Sequence, residues 1–273
     1  MTRGGAISVR GATKVYDPDG ARVIALDHCS MEIGAGEFCV VVGPSGCGKT
    51  TLLNAIAGFH ELTAGEIHLN GQLLSSPSQP ATPGSDRVVV FQNGALFPWM
   101  TIAENVAFGP MAQNKLEPKQ AKEAALETLE TMGLSLIAND YPGRISSGTR
   151  RRAEIARAMA CHPQVLLLDE PFRALDALTK TVSHQFLMEV YDRERPTIFF
   201  ITHDLDEAIF LASRVFVMTT RPATVKKILE VPLPRPRDFR LLASPDCQRL
   251  RAECQAAVRA EALKAFSVGE RER

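Results

Sequence analysis

The chain has 273 residues, of which 45% are hydrophobic, and its 31 Lys and Arg residues are balanced by 31 Asp and Glu residues. This length and composition exclude a disordered chain and predict one domain with a subdomain, or two small domains. The balanced charge excludes a global basic field that would hold nucleic acid, so we expect no nucleic-acid partner.

Cysteine usage and hydropathy bear on the compartment. The six cysteines are scattered without a Cys-x-x-Cys pair, which argues against a zinc ribbon or a disulfide scaffold and favours a reducing cytoplasm. The longest apolar runs, 38–43 and 198–201, are far shorter than the roughly 20 residues that span a bilayer, and the N-terminus has no signal-peptide core. We therefore expect a soluble chain whose membrane role depends on a partner.

Two segments near the N-terminus, 6–16 and 24–33, alternate apolar and polar residues, as half-exposed antiparallel strands do. Segment 66–74 adds a hairpin, because Asn70 and Gly71 suit the positive φ angles of a two-residue turn. These segments predict a small antiparallel β-subdomain.

Five short apolar runs, separated by helix-like segments, predict the strands of a buried and largely parallel sheet. The runs are 37–42, 87–91, 164–170, 197–202 and 214–220. This alternation of strands and helices predicts an α/β fold.

Helix formers dominate from about 93 to 160, which predicts a helical insertion containing a helix over 118–133 with Gly133 as its C-cap. A last strand follows residue 221, then prolines and a helical pattern from about 246 to 267. We expect one domain over 1–235. The remaining tail, 236–273, is too short for a second domain, and its mixed charge suits packing on the core or on a second subunit.

Segment 43–51, GPSGCGKTT, fits the pattern G-x-x-x-x-G-K-[ST] and lies between a strand and a helix, as that motif requires. Its glycines let backbone N–H groups turn towards phosphate oxygens at the helix N-terminus. Lys49 is placed to reach the terminal phosphates, and Thr50 to offer its hydroxyl to Mg²⁺. The residues predicted to hold the nucleotide are Gly43, Pro44, Ser45, Gly46, Cys47, Gly48, Lys49, Thr50 and Thr51.

Two acidic residues, Asp169 and Glu170, end an apolar run at the carboxyl edge of the predicted sheet, where parallel sheets bind ligands. Asp169 is predicted to hold Mg²⁺ through water, and Glu170 to polarise an attacking water. Together with the phosphate loop, these acids predict a Mg-nucleotide hydrolase.

Over residues 6 to about 235 the chain closely resembles the ATP-binding-cassette (ABC) ATPases, because their markers occur here in the family's order. These are Tyr16, the loop 43–51, Gln92, ISSGT at 145–149, Asp169 with Glu170, PFRALD at 171–176 and His203. The resemblance implies a P-loop NTPase core with a mostly parallel sheet, an antiparallel β-subdomain and an α-helical subdomain. It also implies ATP and Mg²⁺ as cofactors.

The resemblance assigns roles to three further side chains. Tyr16 stacks on adenine, Gln92 senses Mg²⁺ and the attacking water, and His203 contacts the γ-phosphate and orients that water with Glu170. In proteins outside the family, a tyrosine such as Tyr16 more often packs against its neighbours, and a glutamine such as Gln92 is more often solvated. A histidine such as His203 more often makes a structural hydrogen bond. Asp176 suits both a contact between subunits and the N-cap of the following helix.

Segment 145–149 occupies the place of the family's signature sequence, which begins a helix that points at the ATP held by a second subunit. Ser146 supplies a hydroxyl and Gly148 a backbone N–H for that contact. Ser147 and Thr149 depart from the family's usual residues. We therefore expect a working but weakened signature.

Several arginines also stand out. Arginines 150 to 152 lie in a first helical turn, where each positive charge opposes the helix dipole by about 0.3–1 kcal/mol. A bound triphosphate is one source of a compensating anion, and a solvated basic helix start is the alternative. Arg173 stands where importer relatives usually carry glycine, and its effect is left open.

The resemblance is strongest to importer ATPases that serve nitrate, taurine, sulfonates and similar small anions. It implies a dimer, with a homodimer expected, that sits peripherally on the cytoplasmic face of the inner membrane. It also implies transmembrane permease subunits and, indirectly, a periplasmic or lipoprotein substrate-binding protein. Residues that could line the groove for permease helices, or else form insertion core, are Leu96, Phe97, Pro98 and Trp99.

Two other functions stay open at this point. One is a soluble cassette ATPase acting on nucleic acid or ribosomes, although such proteins usually carry two cassettes or a long coiled-coil insertion. The other is a regulatory or weakly hydrolysing subunit of a heterodimer, suggested by the altered signature.

Overall fold

Ten strands and seven α-helices account for most regular structure in the residues that this computed structural model describes, 4–113 and 115–267. The strands are β1 (Ile7–Tyr16), β2 (Val23–Ile33), β3 (Phe38–Val42), β4 (Ala64–Leu69), β5 (Gln72–Ser75), β6 (Arg87–Val90), β7 (Val165–Asp169), β8 (Thr197–Ile201), β9 (Arg214–Met218) and β10 (Val225–Glu230). The helices are α1 (Lys49–Ala57), α2 (Ile102–Ala112), α3 (Pro118–Thr131), α4 (Ser147–Met159), α5 (Ala177–Glu194), α6 (Leu205–Leu211) and α7 (Pro245–Ser267).

The central sheet has six strands in the order β10-β9-β3-β8-β7-β6, and all neighbours are parallel except β10 and β9. Every residue of β3, β7 and β8 is buried. Side chains alternate between the two faces of a strand, so Val40 and Leu166 enter one hydrophobic core while Val41 and Leu167 enter another. The predicted α/β fold with a mostly parallel sheet is confirmed.

A second, antiparallel sheet in the order β2-β1-β4-β5 shares one of these cores with α1 and one face of the central sheet. Its hairpin between β4 and β5 turns at Asn70 and Gly71, whose φ angles are 54° and 77°. These positive values are what a two-residue turn demands, and the predicted hairpin is confirmed.

Helices α2 to α6 and part of α7 share the core on the opposite face of the central sheet. The end of α3 corrects one prediction, because Gly133, at φ 66°, follows the C-cap Met132 instead of occupying it. The N–H of Gly133 bonds the Glu130 carbonyl at 3.0 Å, and that of Leu134 bonds the Leu129 carbonyl at 2.7 Å. This is a Schellman motif, in which the left-handed glycine lies one residue past the cap.

The C-terminal helix α7 packs on the core of its own chain. Cys247, Leu250 and Cys254 are buried in the same core as the helices of the insertion. All six cysteines are free thiols, as their spacing predicted, and burial raises the pKa of Cys254 to about 11. That thiol is therefore a packing group at neutral pH.

Candidate nucleotide hydrolysis site

The predicted phosphate loop connects β3 to α1 at the carboxyl edge of the central sheet. Its backbone requires glycine most clearly at Gly48, which has a φ of 120° and caps α1. A Cβ there would lie 2.7 Å from the carbonyl oxygen of Ala25, a distance that no side chain tolerates. The loop therefore keeps its N–H groups close to the helix N-terminus, where anions bind.

Lys49 is buried at the start of α1, although its amino group is charged. Its Nζ donates hydrogen bonds to the carbonyl oxygens of Gly43 at 2.9 Å and Pro44 at 2.8 Å. Its third donor lies 3.8 Å from Cys47 Sγ, a weak acceptor that a phosphate oxygen can replace. The loop thus holds a positive charge at the position the motif predicted.

Thr50 and Asp169 meet across the site. The Thr50 hydroxyl donates to Asp169 Oδ2 at 3.0 Å, linking α1 to the end of β7. Burial raises the pKa of Asp169, and the hydrogen bond from Thr50 opposes that rise. One carboxylate and one hydroxyl oxygen suit Mg²⁺, which takes few protein oxygens and shares phosphate oxygens of its substrate. These two residues therefore fit the predicted magnesium ion.

Glu170 and His203 lie at the ends of adjacent strands, and Glu170 Oε1 is 2.5 Å from His203 Nε2. Glu170 is buried and holds a φ of 44°, which is unusual for a non-glycine residue. Burial lowers the pKa of His203, as does the nearby charge of Lys49, while the charge of Glu170 opposes this. Burial therefore favours the neutral imidazole, and its Nε2 lies within hydrogen-bond distance of the carboxylate.

Arg173 contacts the other oxygen of the same carboxylate. Its Nη1 lies 3.1 Å from Glu170 Oε2, and 65% of its side chain is exposed. The arginine whose effect the sequence left open thus restrains Glu170 from the solvent side. Exposed ion pairs contribute little stability, about 0–1 kcal/mol, so this contact is free to rearrange.

Lys49, Thr50, Glu170, Arg173 and His203 line one groove of ≈ 320 Å³. Tyr16 lines it, and its hydroxyl is held by His60 Nδ1 at 2.9 Å and Thr51 Oγ1 at 3.3 Å. The remaining lining residues are Val23, Ala25, Ser45, Gly46, Cys47, Gly48, Thr51 and Arg221. The structure thus brings together most of the predicted site in one place.

Six predicted residues do not line this groove, namely Gly43, Pro44, Asp169, Gln92, Ser146 and Gly148. Gln92 is exposed in the loop after β6, and Ser146 is exposed at the N-cap of α4, where its hydroxyl accepts the N–H of Thr149 at 3.2 Å. Gly148 is buried, and a Cβ there would lie 2.1 Å from Thr179 Cγ2. Close packing against α5 is thus a second reason for glycine at this position.

The three consecutive arginines were interpreted as solvated or as facing a bound triphosphate. Arg151 does neither, because it is buried and does not line the nucleotide groove. It is buried, with Nη1 2.6 Å from Glu154 Oε2 and 2.8 Å from the Phe91 carbonyl, while Nη2 lies 2.7 Å from the Gln92 carbonyl. Glu154 in turn accepts the Ala95 N–H at 3.2 Å. We call Arg151 and Glu154 the α4 clamp.

The α4 clamp joins the first turns of α4 to the loop that carries Gln92. Burial raises the pKa of Glu154 and lowers that of Arg151, and each charge opposes the shift of its partner. The compensating anion for Arg151 is therefore Glu154, within the same helix. The spacing of Arg151 and Glu154 in the sequence indicates this ion pair, because residues three apart on a helix are neighbours.

An aromatic groove lies on the far side of the clamp. It has a volume of ≈ 370 Å³, and its lining includes Phe91, Phe97, Phe108 and Arg157. Asn105 holds the loop above it, accepting the Phe97 N–H at 2.7 Å and donating to three carbonyls. Of the four residues predicted to line a groove, Phe97 does so, whereas Leu96 packs on the core and Trp99 is 69% exposed.

Comparison with known proteins identifies relatives across most of the chain. A family model described as "ABC transporter" matches residues 26–173. The nitrate import ATP-binding protein NrtD of Synechocystis sp. is 42% identical over 228 residues, covering 84% of this chain and 83% of that protein. The bicarbonate transport ATP-binding protein CmpD of the same organism is 40% identical over 248 residues, covering 90% and 86%.

Solved structures agree in fold. A dimeric ATP-binding cassette in a post-hydrolysis state, bound to ADP and Pi, superimposes with a TM-score of 0.70 at 28% identity and covers 84% of this chain and 100% of that one. In the described parts of the chain, no helix combines the length and apolar character needed to cross a membrane.

The α4 clamp makes a testable prediction about stability. Replacing Arg151 with alanine leaves the charge of Glu154 buried without its partner, and we expect the free energy of unfolding to fall by about 3–5 kcal/mol. Urea unfolding followed by circular dichroism measures this change. Arg150→Ala removes the same charge one residue earlier and should cost less than about 0.5 kcal/mol. Equal losses in the two variants would contradict the clamp.

Proposed function

The chain belongs to the ABC transporter family as an ATP-binding and ATP-hydrolysing importer subunit, and from this premise we propose how its residues act and which solutes it serves. The single observation that carries the proposal is the buried Glu170 carboxylate, held by His203 beside Lys49 and the phosphate loop. Its cofactors are ATP and Mg²⁺.

Glu170 is the group that polarises the attacking water. His203 contacts the γ-phosphate and, together with Glu170, orients the water. Because a neutral imidazole has a single N–H, the contact of His203 with the Glu170 carboxylate gives way to the phosphate when ATP binds. Lys49 binds the terminal phosphates, and Tyr16 stacks on adenine. Support for the tyrosine comes from its place in the groove, where contacts with His60 and Thr51 fix its hydroxyl.

Thr50, Asp169 and Gln92 would hold Mg²⁺. When bound, the ion neutralises charge on the β- and γ-phosphates. Gln92 belongs to a loop whose carbonyls are tied to the α4 clamp, so a change at Gln92 is passed to the start of α4. The site residues thus couple hydrolysis to the helical insertion.

Two copies of the chain complete each site. Ser146 and the N–H of Gly148 lie at the N-terminus of α4, and neither residue lines the groove of its own chain. A second subunit, which we propose to be identical, presents this helix end to the γ-phosphate. The dimeric relative bound to ADP and Pi supports the arrangement.

The aromatic groove receives a short helix from each permease subunit. Its aromatic rings offer apolar contact, and Arg157, whose guanidinium lies 5.4 Å from the Phe97 ring, adds a cation at the rim. Because Phe91 also anchors the α4 clamp through its carbonyl, the groove and the signature helix share one support. The subunit therefore lies peripherally at the cytoplasmic face of the inner membrane.

The solutes are small organic or inorganic anions of the nitrate, bicarbonate or sulfonate kind. Support comes from relatives named for nitrate and bicarbonate transport, which match most of this chain. A periplasmic or lipoprotein binding protein delivers the solute to the permease. We also propose the division into a cassette over 1–235 and a helical tail.

Ser146 offers the sharpest test of the shared site. We expect Ser146→Arg to leave ATP binding unchanged, because the residue does not line its own groove, and to lower turnover by about 100-fold, as loss of a preorganised donor does. Steady-state phosphate release and filter binding of labelled ATP measure the two properties. Ser135→Arg, at another exposed site of the insertion, is the control. Normal turnover in Ser146→Arg would overturn the shared site.

The solute class is tested with the complete importer in liposomes. We expect ATP turnover to rise when the binding protein is supplied with nitrate, bicarbonate or a sulfonate, because solute loading is the signal that closes the dimer. A neutral sugar and a polyamine serve as controls. Stimulation by either control, with none of the anions active, would contradict the assignment.

A further inference from the structure

A short loop between β9 and β10 reaches the nucleotide groove, which Arg221 lines. Arg221, in this loop, donates to the carbonyl oxygen of Gly46 through Nη2 at 2.8 Å and Nε at 3.3 Å. It also lines the groove that contains Lys49. This cation therefore contacts the phosphate loop from outside the glycine-rich motif.

The Arg221 contact fixes the direction of one peptide plane. In a trans peptide the carbonyl and the following N–H point to opposite sides, so holding the Gly46 carbonyl outward turns the Cys47 N–H inward. That N–H indeed faces the loop interior, 3.4 Å from the Pro44 carbonyl that also binds Lys49. N–H groups turned in this way are the ones that bind phosphate oxygens.

The C-terminal helix holds the same loop from behind. Glu261 of α7 is 1% exposed, and it accepts the Thr220 N–H at 3.0 Å and the amino groups of Lys226 and Lys264 at 2.8 Å each. Burial alone would raise the pKa of Glu261, but these hydrogen bonds lower it to about 2. Glu261 is therefore a charged anchor directly beside Arg221.

A third contact ties the loop to the β-subdomain. The Ala223 N–H bonds the Ala25 carbonyl at 3.0 Å, and the Asp27 N–H bonds the Ala223 carbonyl at 3.0 Å. Ala25 is itself a wall of the groove, and its carbonyl lies against Gly48. The backbone of the loop is thus fixed on two sides, and Arg221 extends from it to the phosphate loop.

We propose that Arg221 is a positioning residue for nucleotide binding, which sets the Gly46–Cys47 peptide of the phosphate loop, and that α7 holds it in place through Glu261. The C-terminal helix is then part of the nucleotide site. The N–H groups that Arg221 positions contact phosphates that are already bound before hydrolysis. Its loss therefore weakens ATP affinity and leaves the chemical step, carried by Glu170 and His203, almost unchanged.

The test uses the full-length protein and the fluorescent nucleotide TNP-ATP. We expect Arg221→Gln to raise the Kd roughly five- to tenfold, the size of one charge-assisted contact, with kcat within about twofold of the original. Arg221→Lys keeps the charge and one donor, so it should recover part of the affinity. Arg240→Gln, which removes an exposed arginine, should change neither value.

A second pair of variants tests the role of α7. Glu261→Gln should also raise the Kd for TNP-ATP. The double variant with Arg221→Gln should have a Kd close to that of Arg221→Gln alone, because both residues act through one loop. Glu253→Gln, which removes the Lys227 contact from the same helix, should have no effect.

Two results would overturn the inference. One is an unchanged Kd in Arg221→Gln. Because the Arg221 side chain is exposed, this substitution leaves the fold intact. The other is a fall in kcat at unchanged KM, which would make Arg221 a participant in hydrolysis. The binding curve of the unaltered protein tests nucleotide binding itself, so failure there is distinguishable from failure of Arg221 alone.

Discussion

The buried ion pair between Arg151 and Glu154 determines how the parts of the molecule can communicate. Its guanidinium holds the carbonyls of Phe91 and Gln92, and its carboxylate holds the N–H of Ala95. Two charges this deeply buried are tolerated because each satisfies the other and the loop backbone. The loop that carries Gln92 is therefore fixed to the helix that begins at Ser146.

The α4 clamp borders the aromatic groove, because Glu154 and Phe91 line it. The nucleotide groove holds the charged groups Lys49, Glu170 and His203, whereas the aromatic groove holds Phe97 and Phe108. The loop after β6 begins at the aromatic groove, which Phe91 lines, and is fixed to α4 through the clamp. Under the proposed function, a partner helix would bind this groove and Mg-nucleotide would contact Gln92 of the same loop, which is the physical requirement for coupling two sites.

Sequence patterns predicted the features that depend on residues close together in the chain. The phosphate loop, the acids at the end of β7, the histidine after β8 and the hairpin turn at Asn70 all follow from residues adjacent in the chain. The contacts of Arg151, Arg173 and Arg221 were not predicted in this way. Arg151 reaches carbonyls about sixty residues away and Arg221 a carbonyl still farther, and only the folded sheet brings such groups together. For Arg173, sequence signalled an unusual residue without indicating its partner.

The central claim is that ATP holds two copies together through the helix end at Ser146. It is tested most directly by light scattering on Glu170→Gln, in which ATP is bound but water is not activated. The account predicts twice the mass of one chain when ATP and Mg²⁺ are present, and the mass of one chain when they are withheld. A single-chain mass with saturating ATP, persisting when the permease is added, would contradict it.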